Sequence, residues 1–146
     1  MRRVERRATI PAPPAAVFAY LADLEHLGEW QTGVVSATRT TEGELGVGST
    51  ALVVRELMGN RVEAPLTITA YRPPEHLAIS SEVSGVKAAG VLDLAAAGGG
   101  GETDLTFAME IRGSLLTSIM EPMIAGAAEG EIETSLRRIA EHFEAT

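Results

Sequence analysis

The C-terminal stretch constrains the fold most. From Leu116 onward, Leu116, Met120, Met123, Ile124 and Ala127 fall on one helical face. Ile132, Leu136, Ile139 and Phe143 continue that face at spacings of four, three and four, while Glu129, Glu131, Glu133, Arg137, Arg138 and Glu141 are assigned to the wet side. A helix reaching Glu144 would span about 43 Å at 1.5 Å per residue. Pro122 either kinks it or marks its true first turn. An amphipathic element of that length must bury its stripe against something equally long. The rest of the chain offers only one such partner, a sheet curled around it.

That sheet is legible upstream. Val4, Ala8 and Ile10 share one parity, the period of a half-buried strand, and Pro11, Pro13 and Pro14 end it. Proline at a first helical position starts a helix over Pro14 to Asp23, with Val17, Leu21 and Leu24 on its face. A second short helix, Leu24 to Gly28, leads into Trp30. Strands are then expected at 32–40, 49–57, 61–71, 76–84, 86–95 and 104–112. A tight turn is expected through Met58-Gly59-Asn60, and another at Gly85. The last strand alternates most clearly, with Leu105, Phe107, Met109 and Ile111 on one side. Ser114 is placed to cap the final helix. The expected fold is α+β, a single domain over 1–146 with a curved antiparallel sheet of six to seven strands around the long helix.

Composition narrows the function. The chain contains no cysteine, which excludes disulfide and thiolate chemistry. Four of its 12 basic residues fall in the first seven positions, and the rest of the chain is strongly acidic. Such a body repels phosphate, so no nucleic-acid partner is expected. The Arg-rich start reads as a solvated edge strand. No apolar run approaches the ~18 residues that span a bilayer, and a cytoplasmic location is the default expectation. Aromatics are 4 % of the chain, so the core is built from small aliphatic side chains.

The motifs Ile10-Pro-Ala-Pro-Pro-Ala-Ala-Val17-Phe18, Leu21-Ala-Asp23 followed by Trp30, Val47-Gly48-Ser49, Tyr71-Arg-Pro73-Pro74-Glu-His-Leu77 and Leu136-Arg-Arg-Ile139-Ala-Glu-His-Phe143 occur in order along nearly the whole chain. In these the sequence resembles the START/Bet v 1-like (SRPBCC) superfamily, the helix-grip group of polyketide cyclases, dehydrases and lipid-transport proteins. The resemblance implies a hydrophobic cavity between sheet and helix, but not one activity.

The residues suggest where that cavity would lie. Its apolar wall is assigned to Trp30, Val62, Leu66, Ile79, Leu105, Phe107, Met109, Met120, Met123, Ile124 and Ala127, beside the small residues Gly126 and Gly130 and with Trp30 near the mouth. Trp30, Met109, Met120 and Met123 read equally well as plain core. Polar candidates are Arg55, Glu56, Glu63 and Asp93. Adjacent strand residues point to opposite faces, so parity allows one of Arg55 and Glu56 to face the cavity, although an outward-facing cross-strand ion pair is the more ordinary reading of these charges. An inward charge would fix a ligand's polar end or move a proton. Convergence of two among Arg55, Glu56, Arg61, Glu63, Lys87 and Asp93 would favour chemistry. His26, His76 and His142 are too scattered for a metal site, no nucleophile motif occurs, and no cofactor is expected. A dry void of ~300 Å³ would cost on the order of 7 kcal/mol, so any cavity is small, wet or filled. Three functions remain open: binding or transport of a small hydrophobic metabolite (lipid, isoprenoid or polyketide-like), a cyclase/dehydratase-type enzyme, and an interaction module of the chaperone-activator type. A homodimer is left open.

Overall fold

The computed structural model describes residues 2–57, 59–83, 86–113 and 121–144. β1 (Arg2–Ile10) leads to α1 (Pro14–Ala22), a 3₁₀ turn (Leu24–His26) and the short α2 (Leu27–Trp30). Six strands follow: β2 (Val34–Arg39), β3 (Thr50–Leu57), β4 (Asn60–Arg72), β5 (His76–Val83), β6 (Val86–Ala97) and β7 (Glu102–Gly113). The chain then forms α3 (Glu121–Glu144). The strands make one curved antiparallel sheet in the order β1-β7-β6-β5-β4-β3-β2. The Arg-rich β1 is therefore an edge, as its charge pattern predicts, and it pairs with β7 in the register Val4↔Met109 and Ala8↔Leu105.

The element order is the expected one, and the differences are at element ends. β6 and β7 run further toward each other than expected, closing through the glycine turn Gly98–Gly100. The second short helix continues to Trp30 instead of stopping at Gly28. The Asp23 side chain accepts from the Glu25 amide at 3.2 Å, and this cap nucleates the turn that α2 extends. Pro122 falls in the first described turn of α3. The expected cap Ser114 and the turns at Met58 and Gly85 lie outside the described residues.

One face of the sheet holds the core. Paired strand residues share a face, so the register carries the inward set from strand to strand: Ala51, Leu66 and Ser81, then Ile79, Gly90 and Met109, then Leu77, Leu92, Phe107 and Arg6. α1, the 3₁₀ turn and α2 cover part of this face with Val17, Phe18, Leu21, Leu24, Leu27 and Trp30. α3 packs along β1 and β7 and against α2. Its buried stripe is Ala128, Ile132, Ser135, Leu136 and Ile139. The buried Thr103 hydroxyl donates to the Ala12 carbonyl at 2.8 Å, pinning the β1–α1 connection to β7.

Candidate ligand-binding site

The inner face is sealed at one end and only partly covered at the other. Leu66, Ile68, Leu77, Ile79, Leu92, Leu94, Leu105 and Phe107 are buried. Further along the same strands, the inward-facing Val62, Ser81, Ala88 and Met109 remain partly exposed, as does Gly90 between Ile79 and Phe107. The sealed part is filled by Trp30, fully buried, whose ring meets Phe107 edge-on at 5.9 Å.

A polar cluster borders the partly covered end. Arg55 sits on the inner face of β3, in register with Val34 and Val62. Its Nη2 donates to Gln31 Oε1 at 2.7 Å, and its Nη1 lies 3.9 Å from Glu131 on α3. Two turns further along α3, Arg138 Nη1 donates to the Gln31 carbonyl at 3.4 Å. Gln31 is buried, so Arg55 has a fixed neutral acceptor on one side and a carboxylate on the other. The two charged side chains stay 20 % and 27 % exposed. Burial works against both charges: it pushes Arg55 below its ordinary range, against the pull of Glu131, and it raises Glu131, against the pull of Arg55. Two neutral groups nearby lack partners. Trp30 Nε1 and Ser135 Oγ are both buried with no hydrogen bond. Ser135 lies on α3 between the Glu131 and Arg138 contacts, and Trp30 precedes Gln31 in sequence.

Two local devices hold Gln31 in place. Gly33 adopts φ 74°, where an L side chain is strained, and a Cβ there would lie 3.3 Å from the Glu56 carbonyl. Its carbonyl accepts from the Glu56 amide at 2.8 Å, locking the end of α2 onto β3 beside Arg55. At the other end, Tyr20 of α1 stacks on His142 of α3 at 4.0 Å and meets Phe143 edge-on, while its hydroxyl donates to Glu29 Oε1 at 3.3 Å. Burial, then the charge and hydrogen bond of Glu29, raise the Tyr20 phenol to about 12. His26 lies 3.6 Å from Asp23 and 3.8 Å from Glu29 in the same cluster.

A curved sheet with a helix laid across it is also what comparison with known proteins finds. The family model for polyketide cyclase / dehydrase and lipid transport proteins matches residues 1–144. The chain belongs to this family. An uncharacterised Mycobacterium tuberculosis protein is 28 % identical over 143 residues, covering 98 % of this chain and 99 % of that one. A START superfamily protein from Mycobacterium smegmatis superposes with a TM-score of 0.78 at 15 % identity, covering 98 % of this chain and 97 % of the other. The Zhui aromatase/cyclase of Streptomyces sp. R1128 gives 0.79 at 14 % identity, with 98 % and 93 % coverage. At those identities the two structures establish the shared helix-grip fold.

Within this polyketide cyclase and lipid-transport fold, the residues expected at the cavity divide. Val62 and Met109 lie at the partly covered end; Leu66, Ile79, Leu105 and Phe107 lie in the sealed part. Trp30 is buried in the core and is not at the mouth, because α2 turns its ring inward onto Phe107. Ala127 is exposed, and so are Gly126 and Gly130. The buried stripe runs through Ala128, and at about 100° per residue the two glycines fall on the opposite side, with Ala127 beyond the stripe's edge. Met120 lies outside the described residues, as do the side chains of Met123 and Ile124.

The polar candidates divide by strand parity. Arg55 faces inward, whereas Glu56, Glu63 and Asp93 point out and are exposed. Asp93 instead meets His76 on the convex face, Nδ1 to Oδ1 at 2.6 Å. The convergence of two strand charges that would favour chemistry therefore does not occur. Arg55 meets Glu131, which helical periodicity assigns to the wet side. Glu131 lies about 60° from Ala128 around α3, at the stripe's margin, where a long side chain reaches inward.

Two shallow surface hollows lie elsewhere. One of about 450 Å³ is lined by Gly33, Val34, Val35, Glu56 and Gly59. The other, about 560 Å³, opens on the convex face among Arg7, Pro14, Arg72, Asp93 and Asp104. The first borders the inner face at Val34 and the second at Leu94. Among the described residues no cluster of His, Asp or Glu could hold a metal ion, and no helix is long and apolar enough to cross a membrane.

Proposed function

We propose that this ligand-binding domain takes up a small hydrophobic metabolite at the partly covered end of its inner face. One observation carries the reading: Val62, Ala88 and Met109 face inward yet stay partly exposed, while the same strands are sealed further along. Inward apolar surface left open inside a sheet-and-helix enclosure gains from burial against a ligand. A long aliphatic or polycyclic body suits the aliphatic lining, and the Arg55, Gln31 and Glu131 cluster suits a polar end at the rim.

The test is native mass spectrometry of the purified protein, with thermal shift across matched aliphatic and aromatic ligands. A ligand at 100 times its Kd stabilises by about 2.7 kcal/mol, a shift of roughly 5–10 °C for a chain of this size. Ala88→Phe fills the open end and is expected to abolish the shift while circular dichroism stays native. Equal shifts in wild type and variant, or none across the set, would sink the reading.

The Arg55–Glu131 pair also favours a second reading, a cyclase/dehydratase-type enzyme, because a paired acid and cation can shuttle a proton during carbon–carbon closure. Incubation with a linear poly-β-ketone, read for loss of one water by mass, decides it.

A further inference from the structure

Resting on the ligand-binding reading above, we infer that the bound molecule is an acid: Arg55 anchors the carboxylate of an apolar carboxylic acid, and Glu131 is the protein's own carboxylate that the ligand replaces. The guanidinium is positioned but under-used. It is a planar fork of five N–H donors, suited to a two-oxygen acceptor. Among the described residues it makes one short bond to neutral Gln31 and approaches Glu131 to 3.9 Å. A direct charge-assisted bond runs to about 2.7–2.9 Å, so Glu131 balances the charge without engaging the fork.

The surroundings favour one negative charge over two. Arg138, the other cation at Gln31, donates to the Gln31 backbone carbonyl, and Arg6 is engaged by Glu129 and Glu133 at 3.4 and 3.6 Å. A single guanidinium neutralises a carboxylate; a phosphate dianion would also face Glu131 with excess charge. Val34 and Val62 flank Arg55 in register, and Met109 and Ala88 continue the inner face, so the apolar body of an acid held at Arg55 has an aliphatic surface to lie on. Burial already disfavours the Glu131 charge, which lowers what its displacement costs.

The experiment measures affinities of matched acid, methyl ester and alcohol forms of decane and naphthalene ligands by titration calorimetry. The acids are expected to bind at least about tenfold more tightly than their esters, the scale of one charged hydrogen-bonded contact. Arg55→Gln should remove that preference by lowering acid affinity more than ester affinity; Arg55→Lys should restore part of it. Glu131→Gln should raise acid affinity by relieving the competition, and it remains informative if the Arg55 variants fold poorly. Equal binding of acids and esters, or an unchanged acid affinity in Glu131→Gln, overturns the acid assignment and leaves hydrophobic binding standing. Binding by none of the forms overturns both readings.

Discussion

Replacing Ser135 with alanine is expected to stabilise the protein. Ser135 lies mid-way along α3, fully buried, and its Oγ has no hydrogen-bond partner. A buried hydroxyl without a partner carries a desolvation cost of about 1–3 kcal/mol. Deleting it leaves a void of roughly 15 Å³, worth about 0.4 kcal/mol against the variant. Alanine's better helix propensity returns a similar amount, about 0.5 kcal/mol. The balance is a gain of about 1–3 kcal/mol, or roughly 2–12 °C in Tm for a chain of this length. Urea and thermal denaturation of wild type and Ser135→Ala at one pH measure it, with an unchanged denaturant slope showing that only stability moved. A variant that melts at or below the wild-type temperature refutes the reasoning, because the hydroxyl must then be bonded in solution.

Other outcomes follow from single contacts. Thr103→Val removes the buried bond to the Ala12 carbonyl at nearly constant volume and should cost about 1–2 kcal/mol, seen as a lower urea midpoint. Glu131 is raised by burial, so its protonated form is the one the fold favours. Its contribution is full below the ordinary carboxylate range and is lost as pH rises through the raised value. Glu131→Gln mimics the protonated form, so its Tm advantage over wild type should grow between pH 4 and 7 (about three units of pH, spanning the ordinary carboxylate range); a constant difference contradicts the assignment. Tyr20 should ionise near 12 in an ultraviolet titration, its stabilising share present below the ordinary phenol range and lost through that value. Tyr20→Phe should delete that step, and a wild-type curve lacking it would count against the burial of the phenol beside Glu29.

The fold was legible because its signals are periodic. Leu105, Phe107, Met109 and Ile111 announce a strand by alternation, and Ile132, Leu136 and Ile139 announce the helix that must lie against it. The two sides of each strand also follow from parity, which separates Arg55 from Glu56 but does not by itself say which of the two faces in. Residues at the margin of a periodic stripe were not legible. Ala127 and Glu131 lie on the same flank of α3, yet the small one ends exposed and the acidic one reaches in, since side-chain length decides the matter there. Gln31 carried no signal at all. Its role depends on Gly33 and β3 meeting, a contact between segments that composition and spacing do not register.

The pairing of β1 with β7 has a consequence for the order of assembly. Thr9 and Asp104 are 95 positions apart and share a hydrogen bond across that pair. β1 finds its partner strand only at β7, so their pairing closes a long loop, and its arginines discourage this edge from joining another chain. α3 rests on β1, and the loop that their docking closes is the longest and entropically the most expensive in the fold. Loop-closure cost alone favours the neighbouring strand pairs over this docking, so the sheet is expected to form ahead of the helix that covers it.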